Sequence, residues 1–517
     1  MNKKSSSLSS DDIGKLLFIA SLIFGALVRL QPASSVDFPI LDGGLFYQMV
    51  EAIKANGMRL PLFVEFNGLQ IPFAYPPLGF YLTAAIGKTL NVSTLALQIW
   101  LPAIFTILVL PAFYYLATTL LKSTLSAGMA VFLFAFLPRS LTWMIMGGGI
   151  TRAPGQVLFV LAASQYYLLY KSGKAKYLFT SILLSSLVCL THPEAAIHTA
   201  AIALLMWGAY GRNKEGIKNS VIVFIGTLIG AAPWWVSVLS RYGFDPLLSA
   251  GRTGLHSPIV SLQLLMSFAE EPLATPITIF AVVGFFIQLA RKEFFLPAWL
   301  IIHFIVEPRN AANVAIFPLA LLAAIAVTDL ILPGLAKFTV LTHERVFQTK
   351  AEKFFLFYLA AVLIFNMLFA EWKQLTRVLS EDARAAMQWV DANTPSNARF
   401  LIITGETEGF TDYTNEWFPV IARRRSQTTI QGCEWISETD FTSLDDTISN
   451  IQECVSNAQP LPCIEKIVAD NPETGFDYIL IKRDAEQVGN LVIDINSSGR
   501  YQIVFTNSSA VIYKKAP

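Results

Sequence analysis

Eleven apolar stretches, most of them close to the length that crosses a bilayer, constrain the fold of this chain. A membrane-spanning helix needs ~20 mostly apolar residues. Only 15% of the residues are charged and mean hydropathy is +0.51, which is too apolar for an ordinary soluble protein. The sequence therefore predicts a polytopic α-helical membrane protein of about 11 to 13 spans. The stretches are 14–31, 97–121, 124–143, 155–171, 177–191, 195–211, 219–239, 275–290, 294–306, 311–331 and 354–371.

The first stretch follows the short basic segment MNKKSSSLSSDDIGK, an arrangement that also describes a signal peptide. Because many further stretches follow, we interpret 14–31 as an uncleaved first helix.

Clusters of Lys and Arg between the apolar stretches predict the orientation, because short cytoplasmic loops collect these residues. With a cytoplasmic N-terminus, all four clusters are cytoplasmic only if segment 74–90, AYPPLGFYLTAAIGKTL, does not cross, or if another crossing is hidden elsewhere. We favour a helix that dips into the outer leaflet within a first external loop, 32–96. The clusters are Lys171, Lys174 and Lys176; Arg212, Lys214 and Lys218; Arg291 and Lys292; and Lys337, Arg345, Lys350 and Lys353.

The composition changes near residue 375, where LSEDARAAMQWVDANTPSNARFLIITG indicates an amphipathic helix, a Thr-Pro turn and a strand. The later runs FDYILIK and YQIVFTN are also strand-like. We therefore expect a membrane domain, 1–372, and an external soluble α/β domain, 373–517.

The four cysteines are too few for a disulfide framework or a zinc site of the Cys-x-x-Cys type. Cys189 lies in a predicted span and is expected to be part of the core. Cys433, Cys454 and Cys463 lie in the polar tail, where one disulfide and one free thiol fit an oxidising compartment. The sequence leaves the pairing open.

Polar and charged side chains of the membrane half gather at the predicted external ends of the spans. Charges next to lipid are costly and usually line a cavity or a functional site. Arginines suit the binding of a phosphate, and an Asp suits deprotonation or orientation of a hydroxyl. The constellation predicts lipid-phosphate chemistry at the membrane surface. Its members are Asp37, Asp42, Arg152 in GGGITRAPG, His192 and Glu194 in THPEA, Glu270 and Glu271 in SFAEEP, and Glu307 and Arg309 in VEPRN.

Each of these residues also has a simpler interpretation. A charged residue at a helix end can be solvated at the interface, and His192 can be a core histidine. Asp42 can be the N-cap of a helix that begins at Gly43 or Gly44. The helix within 41–57 is expected to lie along the outer leaflet, with an apolar side made of Phe46, Met49, Val50 and Ile53.

The order of several motifs resembles the C-type glycosyltransferase superfamily, integral membrane enzymes that take sugars from polyprenyl-phosphate or polyprenyl-diphosphate carriers. These motifs are an external Asp preceding Tyr47, YPPLGFYL, GGG-x-x-R and EPRN. AYPPLGFYL is similar to the His-Pro-Pro-Leu or Lys-Pro-Pro-Leu segment of the protein mannosyltransferase and aminoarabinose transferase branch. It is also similar to the Tyr-Pro-Gly-Leu segment of the oligosaccharyltransferase catalytic subunit.

The oligosaccharyltransferase resemblance continues along the chain, with two departures. SFAEEP is similar to a Thr-x-x-Glu segment, and AMQWVDANTPSNARFLI resembles the opening of that family's soluble domain. NEWFPVIARRRS takes the place of Trp-Trp-Asp-Tyr-Gly, which recognises the acceptor sequon, so asparagine-linked transfer is the alternative rather than the expectation. Arg152 stands where the oligosaccharyltransferases have an Asp-containing metal motif.

The resemblance implies roles for individual residues. Asp42 would be the general base or would orient the acceptor hydroxyl, Arg309 would hold the departing phosphate, and Arg152 would assist it. Glu270 or Glu271 would be a second carboxylate, whereas Asp37, His192 and Glu194 are weaker candidates. The enzyme would be metal-independent or would bind Mg²⁺ or Mn²⁺ weakly through Asp42 and Glu271.

The expected partners are a polyprenyl-phosphate-linked sugar, a glycan, lipid or protein acceptor, and membrane lipid. Nucleic acid is not expected, because the net charge is only +1. Two other classes remain open, a solute or lipid transporter and a non-catalytic protein whose external domain binds glycans. Charges at mid-membrane depth would favour the transporter. Convergence of Asp42, Arg152, Arg309 and the Glu270/Glu271 pair would favour the enzyme.

Overall fold

A computed structural model describes residues 9–253, 276–337, 349–483 and 488–516. Its membrane half is a bundle of helices joined mainly by short turns. The helices are α1 (Ser10–Ser35), α2 (Gly44–Ala55), α3 (Leu78–Leu90), α4 (Thr94–Leu121), α5 (Thr124–Ala135), α6 (Gly149–Ser172), α7 (Ala175–Thr191), α8 (Pro193–Tyr210), α9 (Lys214–Tyr242), α10 (Asp245–Arg252), α11 (Pro276–Ala290), α12 (Phe295–Val306), α13 (Ala311–Ala326), α14 (Leu332–Lys337) and α15 (Lys350–Leu375).

Five helical segments among the described residues are long and apolar enough to cross a membrane: α1, α4, α9, Ala311–Ala336 and α15. Helices α5, α7, α11 and α12 are apolar but shorter. Helices α9 and α15 leave many large apolar side chains uncovered by protein, as expected for surfaces that face lipid. In contrast, every residue of α13 is buried, and this helix forms the centre of the bundle.

The span expected over 124–143 is wrong in its length, because α5 already ends at Ala135. Pro138 lies three residues further, and Leu137 before it has the extended backbone that proline imposes on its neighbour. The chain then forms turns up to Gly148, and these turns bring the glycine-rich segment to the N-terminal end of α6.

The first loop folds against protein. Its antiparallel hairpin, β1 (Phe63–Phe66) and β2 (Leu69–Pro72), closes through Asn67 and Gly68, both with positive φ, as a two-residue Asn-Gly turn requires. The Asn67 side chain donates to the carbonyl of Ser426 at 2.9 Å and accepts from its N–H at 2.7 Å. The hairpin is thereby joined to the C-terminal domain.

The expectation that α2 lies on the outer leaflet is wrong for its apolar side. Met49, Val50 and Ile53 are fully buried in a cluster with the hairpin and Trp435 of the C-terminal domain, so they contact protein and not lipid. Phe46 packs edge-on against the Phe80 ring of α3. Helix α3 has only 13 residues, about 20 Å of helix, which is shorter than the ~30 Å hydrocarbon core.

The C-terminal part combines helices with a five-stranded sheet of order β4-β3-β5-β7-β6. Strand β3 pairs in parallel with β4 and β5, whereas β7 pairs antiparallel with β5 and β6. Cys454 and Cys463 form a disulfide, and Cys433 is a buried free thiol. The elements are α16 (Glu381–Asn393), β3 (Arg399–Ile403), α17 (Tyr413–Ile421), β4 (Arg425–Ser426), α18 (Phe441–Glu453), α19 (Pro460–Asp470), β5 (Tyr478–Lys482), α20 (Gly489–Ser498), β6 (Tyr501–Thr506) and β7 (Ala510–Lys515).

Candidate active site

Asp42 lies in a tight turn between α1 and α2. Its neighbours Leu41 and Gly43 have φ values of 58° and 126°, and a positive φ is unfavourable for a leucine. Two hydrogen bonds hold this turn: the Leu41 N–H donates to the carbonyl of Arg377 at 2.9 Å, and the Trp417 indole donates to the Leu41 carbonyl at 3.0 Å. The surrounding structure thus fixes the direction of the Asp42 side chain before any ligand binds.

Glu416 of α17, and not Asp42, caps the first turn of α2. Its Oε1 accepts from the N–H groups of Gly43 at 3.0 Å and Leu45 at 3.1 Å. The N-cap position itself is Gly43, with no side-chain cap of its own. The interpretation of Asp42 as an N-cap is therefore wrong, and its carboxylate is not used by the helix terminus.

Arg152 is the principal partner of Asp42. Its Nη2 donates to Asp42 Oδ2 at 2.8 Å, while the Gly148 N–H makes a long contact of 3.4 Å to Oδ1. The Arg152 side chain is 8% exposed and its guanidinium lies 4.4 Å from the centre of the Trp143 ring. The Asp42 side chain is 25% exposed, so the carboxylate is partly accessible, with Oδ2 held by Arg152 and Oδ1 contacted only at the longer distance by Gly148.

The GGG segment allows two backbone segments to approach each other closely. A Cβ on Gly147 would overlap the backbone carbonyl oxygen of Asp42, and the Gly147 N–H donates to the carbonyl of Ile40 at 3.1 Å. A Cβ on Gly148 would overlap the Arg152 guanidinium. The glycines therefore allow the N-terminus of α6 to lie directly against the Asp42 turn.

We expect Gly147→Ala to lower activity at this site about 100-fold, because the methyl group must displace the Asp42 backbone and small displacements of a reacting group have effects of that size. Gly208→Ala is the control, since the nearest contact of its Cβ would be Arg212 Nη2 at 4.0 Å. Reaction rates of the two purified variants check this. Equal rates would show that the close approach is not required.

Arg309 lies in the turn between α12 and α13, at the end of the bundle that contacts the C-terminal part of the chain. Glu307 accepts from the N–H groups of Arg309 at 3.0 Å and Asn310 at 2.9 Å, which fixes the turn. The Arg309 side chain is exposed, with its guanidinium 5.6 Å from the centre of the Phe410 ring. Among the described residues no carboxylate lies within ion-pair distance of Arg309, so its charge is available to an anion.

Tyr75 of the YPPL segment is buried against α6. Its hydroxyl lies 3.4 Å from Thr151 Oγ1, next to Arg152 in α6. Burial raises the pKa of Tyr75, the Glu194 carboxylate raises it further, and the charges of Arg152 and Arg309 oppose both. The charges of Arg152, Arg309 and Glu194 thus all act on the Tyr75 hydroxyl.

His192 and Glu194 line the same region from the turn between α7 and α8. His192 Nδ1 accepts from the Ala195 N–H at 3.3 Å and so caps α8, and its ring lies 6.3 Å from that of Tyr75. Glu194 Oε2 accepts from the Asn310 side chain at 2.5 Å. Glu194 thus holds Asn310, the residue next to Arg309, and His192 stabilises the start of the adjacent helix α8.

Asp37 lies apart from this group. It pairs with Arg384 of α16 at 2.5 Å and its side chain is 73% exposed, so it joins the first loop to the C-terminal domain. Glu270 and Glu271 fall outside the described residues, and the structure says nothing of them.

Two carboxylates of the C-terminal domain, Glu416 and Glu434, are site residues that the sequence analysis missed. Burial, with a contribution from the Asp42 charge, raises the pKa of Glu416 to about 8. Burial also raises the pKa of Glu434 to about 7, against the charge of the neighbouring Arg309. The C-terminal part of the chain therefore contributes two protonatable groups whose pKa values depend on the charges of Asp42 and Arg309.

Because folding raises the pKa of Glu416 from about 4.5 to about 8, the folded protein holds an extra proton between these pH values. We therefore expect the free energy of unfolding to fall as pH rises through that window, with Glu434 contributing up to about pH 7. In Glu416→Gln the fall should be smaller, and exposed Glu438→Gln should behave as the wild type. Melting temperatures between pH 5 and 8 check this; a slope that is the same in all three proteins would contradict it.

The fold was compared with known proteins. The sequence matches no protein-family model and no curated protein. An archaeal oligosaccharyltransferase from Archaeoglobus fulgidus, in complex with an inhibitory peptide and a dolichol-phosphate, is 14% identical, with a TM-score of 0.53 over 97% of this chain and 74% of that one. ArnT from Cupriavidus metallidurans bound to undecaprenyl phosphate is 13% identical, with a TM-score of 0.53 over 96% and 97%.

The mycobacterial arabinofuranosyltransferase AftD is 14% identical, with a TM-score of 0.56 over 99% of this chain but only 40% of that one. These neighbours come from separate branches of one superfamily and share one architecture. The chain has the C-type glycosyltransferase fold. The resemblance inferred from the motifs is thus confirmed at the level of the fold, and the chain is a membrane protein.

A metal ion does not fit the described residues at Asp42, although another structure of the archaeal enzyme is a complex with Zn and sulfate. Arg152 occupies Oδ2 of Asp42, and a cation there would meet a fixed positive charge. In the part of the chain that the structure describes, no group of three or more His, Cys, Asp or Glu residues could hold a metal ion. The metal site expected at Asp42 and Glu271 remains a prediction, because Glu271 lies outside the described residues.

Proposed function

We propose that this protein is a glycosyltransferase that moves a sugar from a polyprenyl-phosphate or polyprenyl-diphosphate carrier to an acceptor on the outer face of the membrane. The proposal rests chiefly on the fixed Asp42–Arg152 pair and on an exposed Arg309 with no carboxylate partner among the described residues, since the charges of both arginines act on Tyr75, His192 and Glu194. The fold adds support, because ArnT and the archaeal enzyme are solved with undecaprenyl phosphate and dolichol-phosphate respectively.

In this proposal Asp42 acts on the acceptor. Arg152 holds Oδ2, so Oδ1 is the oxygen that accepts the proton of the acceptor hydroxyl. The acceptor oxygen forms a bond to the anomeric carbon as the bond from that carbon to the phosphate oxygen breaks. Since attack and departure occur on opposite sides, the anomeric configuration inverts.

Arg309 receives the departing phosphate. A guanidinium can hold two phosphate oxygens at once, and a fixed positive charge stabilises the negative charge that develops as the phosphate leaves. The turn that carries Arg309 is fixed by Glu307, so the backbone from which this side chain extends is positioned in advance. Arg152 adds a second positive charge within reach of Tyr75.

The outer face is the proposed side of the reaction, with the C-terminal domain extracytoplasmic and the domain boundary near residue 372. The disulfide in that domain supports this location, because disulfides persist in oxidising compartments. A glycan, a lipid and a protein side chain remain the candidate acceptors, and asparagine-linked transfer to protein stays the alternative. Contacts between the soluble domain and the Asp42 turn through Glu416 and Trp417 favour an acceptor that enters beside this domain.

The experiment is a transfer assay with purified protein in lipid vesicles and polyprenyl-phosphate and polyprenyl-diphosphate sugars labelled in the sugar. We expect one donor class to support transfer to an added acceptor and the product to have the inverted anomeric configuration by NMR. A product of retained configuration would contradict direct displacement by the acceptor. No transfer from either donor class with any acceptor class would contradict the proposed function.

A polar cavity in the C-terminal domain favours a second candidate function, glycan binding by that domain. The cavity has a volume of about 310 Å³ and lies at the carboxyl ends of β3 and β5. The chain leaves β3 for β4 on one side and returns as β5 on the other, and ligands of α/β sheets bind at such a switch point. Its lining includes Thr404, Glu406, Asp412, Tyr413, Ser456 and Lys482.

Binding of labelled oligosaccharides to the whole protein, without a donor, tests this second function. We expect binding to be lost in Ser456→Leu, which narrows the cavity, and unchanged in Asp42→Asn. Equal binding by wild type and Ser456→Leu would contradict a glycan site in this cavity.

A further inference from the structure

Two histidines that the proposed reaction does not use lie buried beneath the Arg309 turn. His198 of α8 and His303 of α12 are both 0% exposed. Their helices are otherwise strongly apolar. Polar side chains inside membrane helices are costly and are usually paired for a purpose.

The histidines form part of a continuous row of contacts. The Trp299 indole N–H donates to Nε2 of His303 at 2.9 Å, one helical turn along α12. His303 Nδ1 lies 3.1 Å from Nδ1 of His198. His198 Nε2 lies 3.3 Å from Oε2 of Glu307, outside hydrogen-bond geometry, so this last contact is electrostatic.

The direction of every hydrogen in this row follows from Trp299, because an indole can only donate. Nε2 of His303 must therefore be unprotonated, and its proton is on Nδ1. That proton is donated to Nδ1 of His198, so the proton of His198 is on Nε2, facing the Glu307 carboxylate. Both rings are neutral, because a doubly protonated ring at either position would bring two N–H groups together.

We propose that the row Trp299–His303–His198 is a positioning relay that fixes the Glu307 carboxylate and, through it, the Arg309 turn. Glu307 connects the relay to the turn, since it accepts hydrogen bonds from the backbone N–H groups of Arg309 and Asn310. Asn310 continues the network to Glu194 at 2.5 Å. His198 and His303 are thus positioning residues of the donor site, an assignment that rests on the proposed function for its effect on transfer.

The first test observes the tautomers directly. The chain has only five histidines, so ¹⁵N-histidine NMR of the full protein can be assigned with single His→Gln variants. We expect His303 to be neutral and protonated at Nδ1, and His198 to be neutral and protonated at Nε2. In Trp299→Phe the Nε2-protonated form of His303 should appear. A His303 that is protonated at Nε2 in the wild type would overturn the relay.

The second test separates positioning from the mere filling of space. Glutamine has an acceptor and a donor at one end, so His303→Gln can accept from Trp299 and donate to His198, whereas His303→Met fills a similar volume without either bond. Hydrogen exchange of the peptide that contains residues 307–310 should be faster in His303→Met by about 10-fold or more and close to wild type in His303→Gln. Equal exchange in both variants would overturn the proposal.

The third test measures the rate of sugar transfer. We expect His303→Met to lower kcat/KM for the donor at least 10-fold and His303→Gln to stay within 3-fold of wild type, since a misplaced binding group has effects of about this size. If the wild type transfers no sugar, the proposed function fails, while the tautomers and the exchange rates still decide whether the relay holds the turn.

Discussion

Asp42→Asn is expected to lower the rate of sugar transfer by about 10²–10⁴, the usual contribution of a positioned general base. Asparagine has nearly the same shape and retains a carbonyl oxygen for Arg152 at 2.8 Å, so the turn should keep its conformation. What is lost is the group that accepts the proton of the acceptor hydroxyl. The measurement is kcat with a labelled donor at saturating acceptor.

The matched control is Asp37→Asn. Asp37 lies in the same loop, five residues before Asp42, but pairs with Arg384 and not with the candidate site. We expect its kcat to remain within about 2-fold of wild type, because an exposed ion pair contributes little. If both variants, or neither, lose activity, Asp42 does not have the proposed role.

Arg309→Gln is expected to lower kcat/KM for the donor by about 10²–10³, the effect of removing one fixed group that stabilises a developing charge. The guanidinium has no carboxylate partner among the described residues, so its replacement leaves no buried charge unpaired. Arg309→Lys should recover only part of the loss, because an ammonium keeps the charge but not the two-pronged geometry. Steady-state kinetics with varied donor check both variants.

Arg384→Gln is the control for the arginine series, since Arg384 lies on the same side of the molecule and pairs with Asp37. We expect donor kinetics close to those of wild type. A loss in Arg384→Gln as large as that in Arg309→Gln would indicate a general effect of charge and would remove Arg309 from the phosphate site.

The parts of the fold that the sequence predicted are those encoded locally. A long apolar run specifies a membrane helix by its own composition, so most predicted spans correspond to helices with bounds shifted by a few residues. The error at 124–143 also has a local cause, because Pro138 stops the helix while the hydrophobicity continues. The buried side of α2 could not be predicted, since an amphipathic pattern is the same whether lipid or protein covers it.

The candidate site also has a part that the sequence predicted and a part that depends on how distant segments pack. Asp42 and Arg152 are 110 positions apart, and only the motifs that contain them suggested that they act together. Glu416 reaches the Asp42 turn across 373 positions, and no pattern in NEWF marks it as a helix cap for α2. His198 and His303 did have a signal, a polar residue inside an apolar helix, but their pairing depends on how α8 packs against α12.

The most direct test of the proposed function measures whether the bond between sugar and phosphate is broken in vesicles that contain the purified protein. The donor is a polyprenyl-phosphate sugar labelled separately in the sugar and in the phosphate. We predict that the sugar label moves to the acceptor while the phosphate label stays on the lipid, and that Asp42→Asn stops this separation. In the contradicting result, both labels stay together on the lipid while it moves between the leaflets, equally in wild type and Asp42→Asn. The protein would then be a transporter, and the proposed function would be wrong.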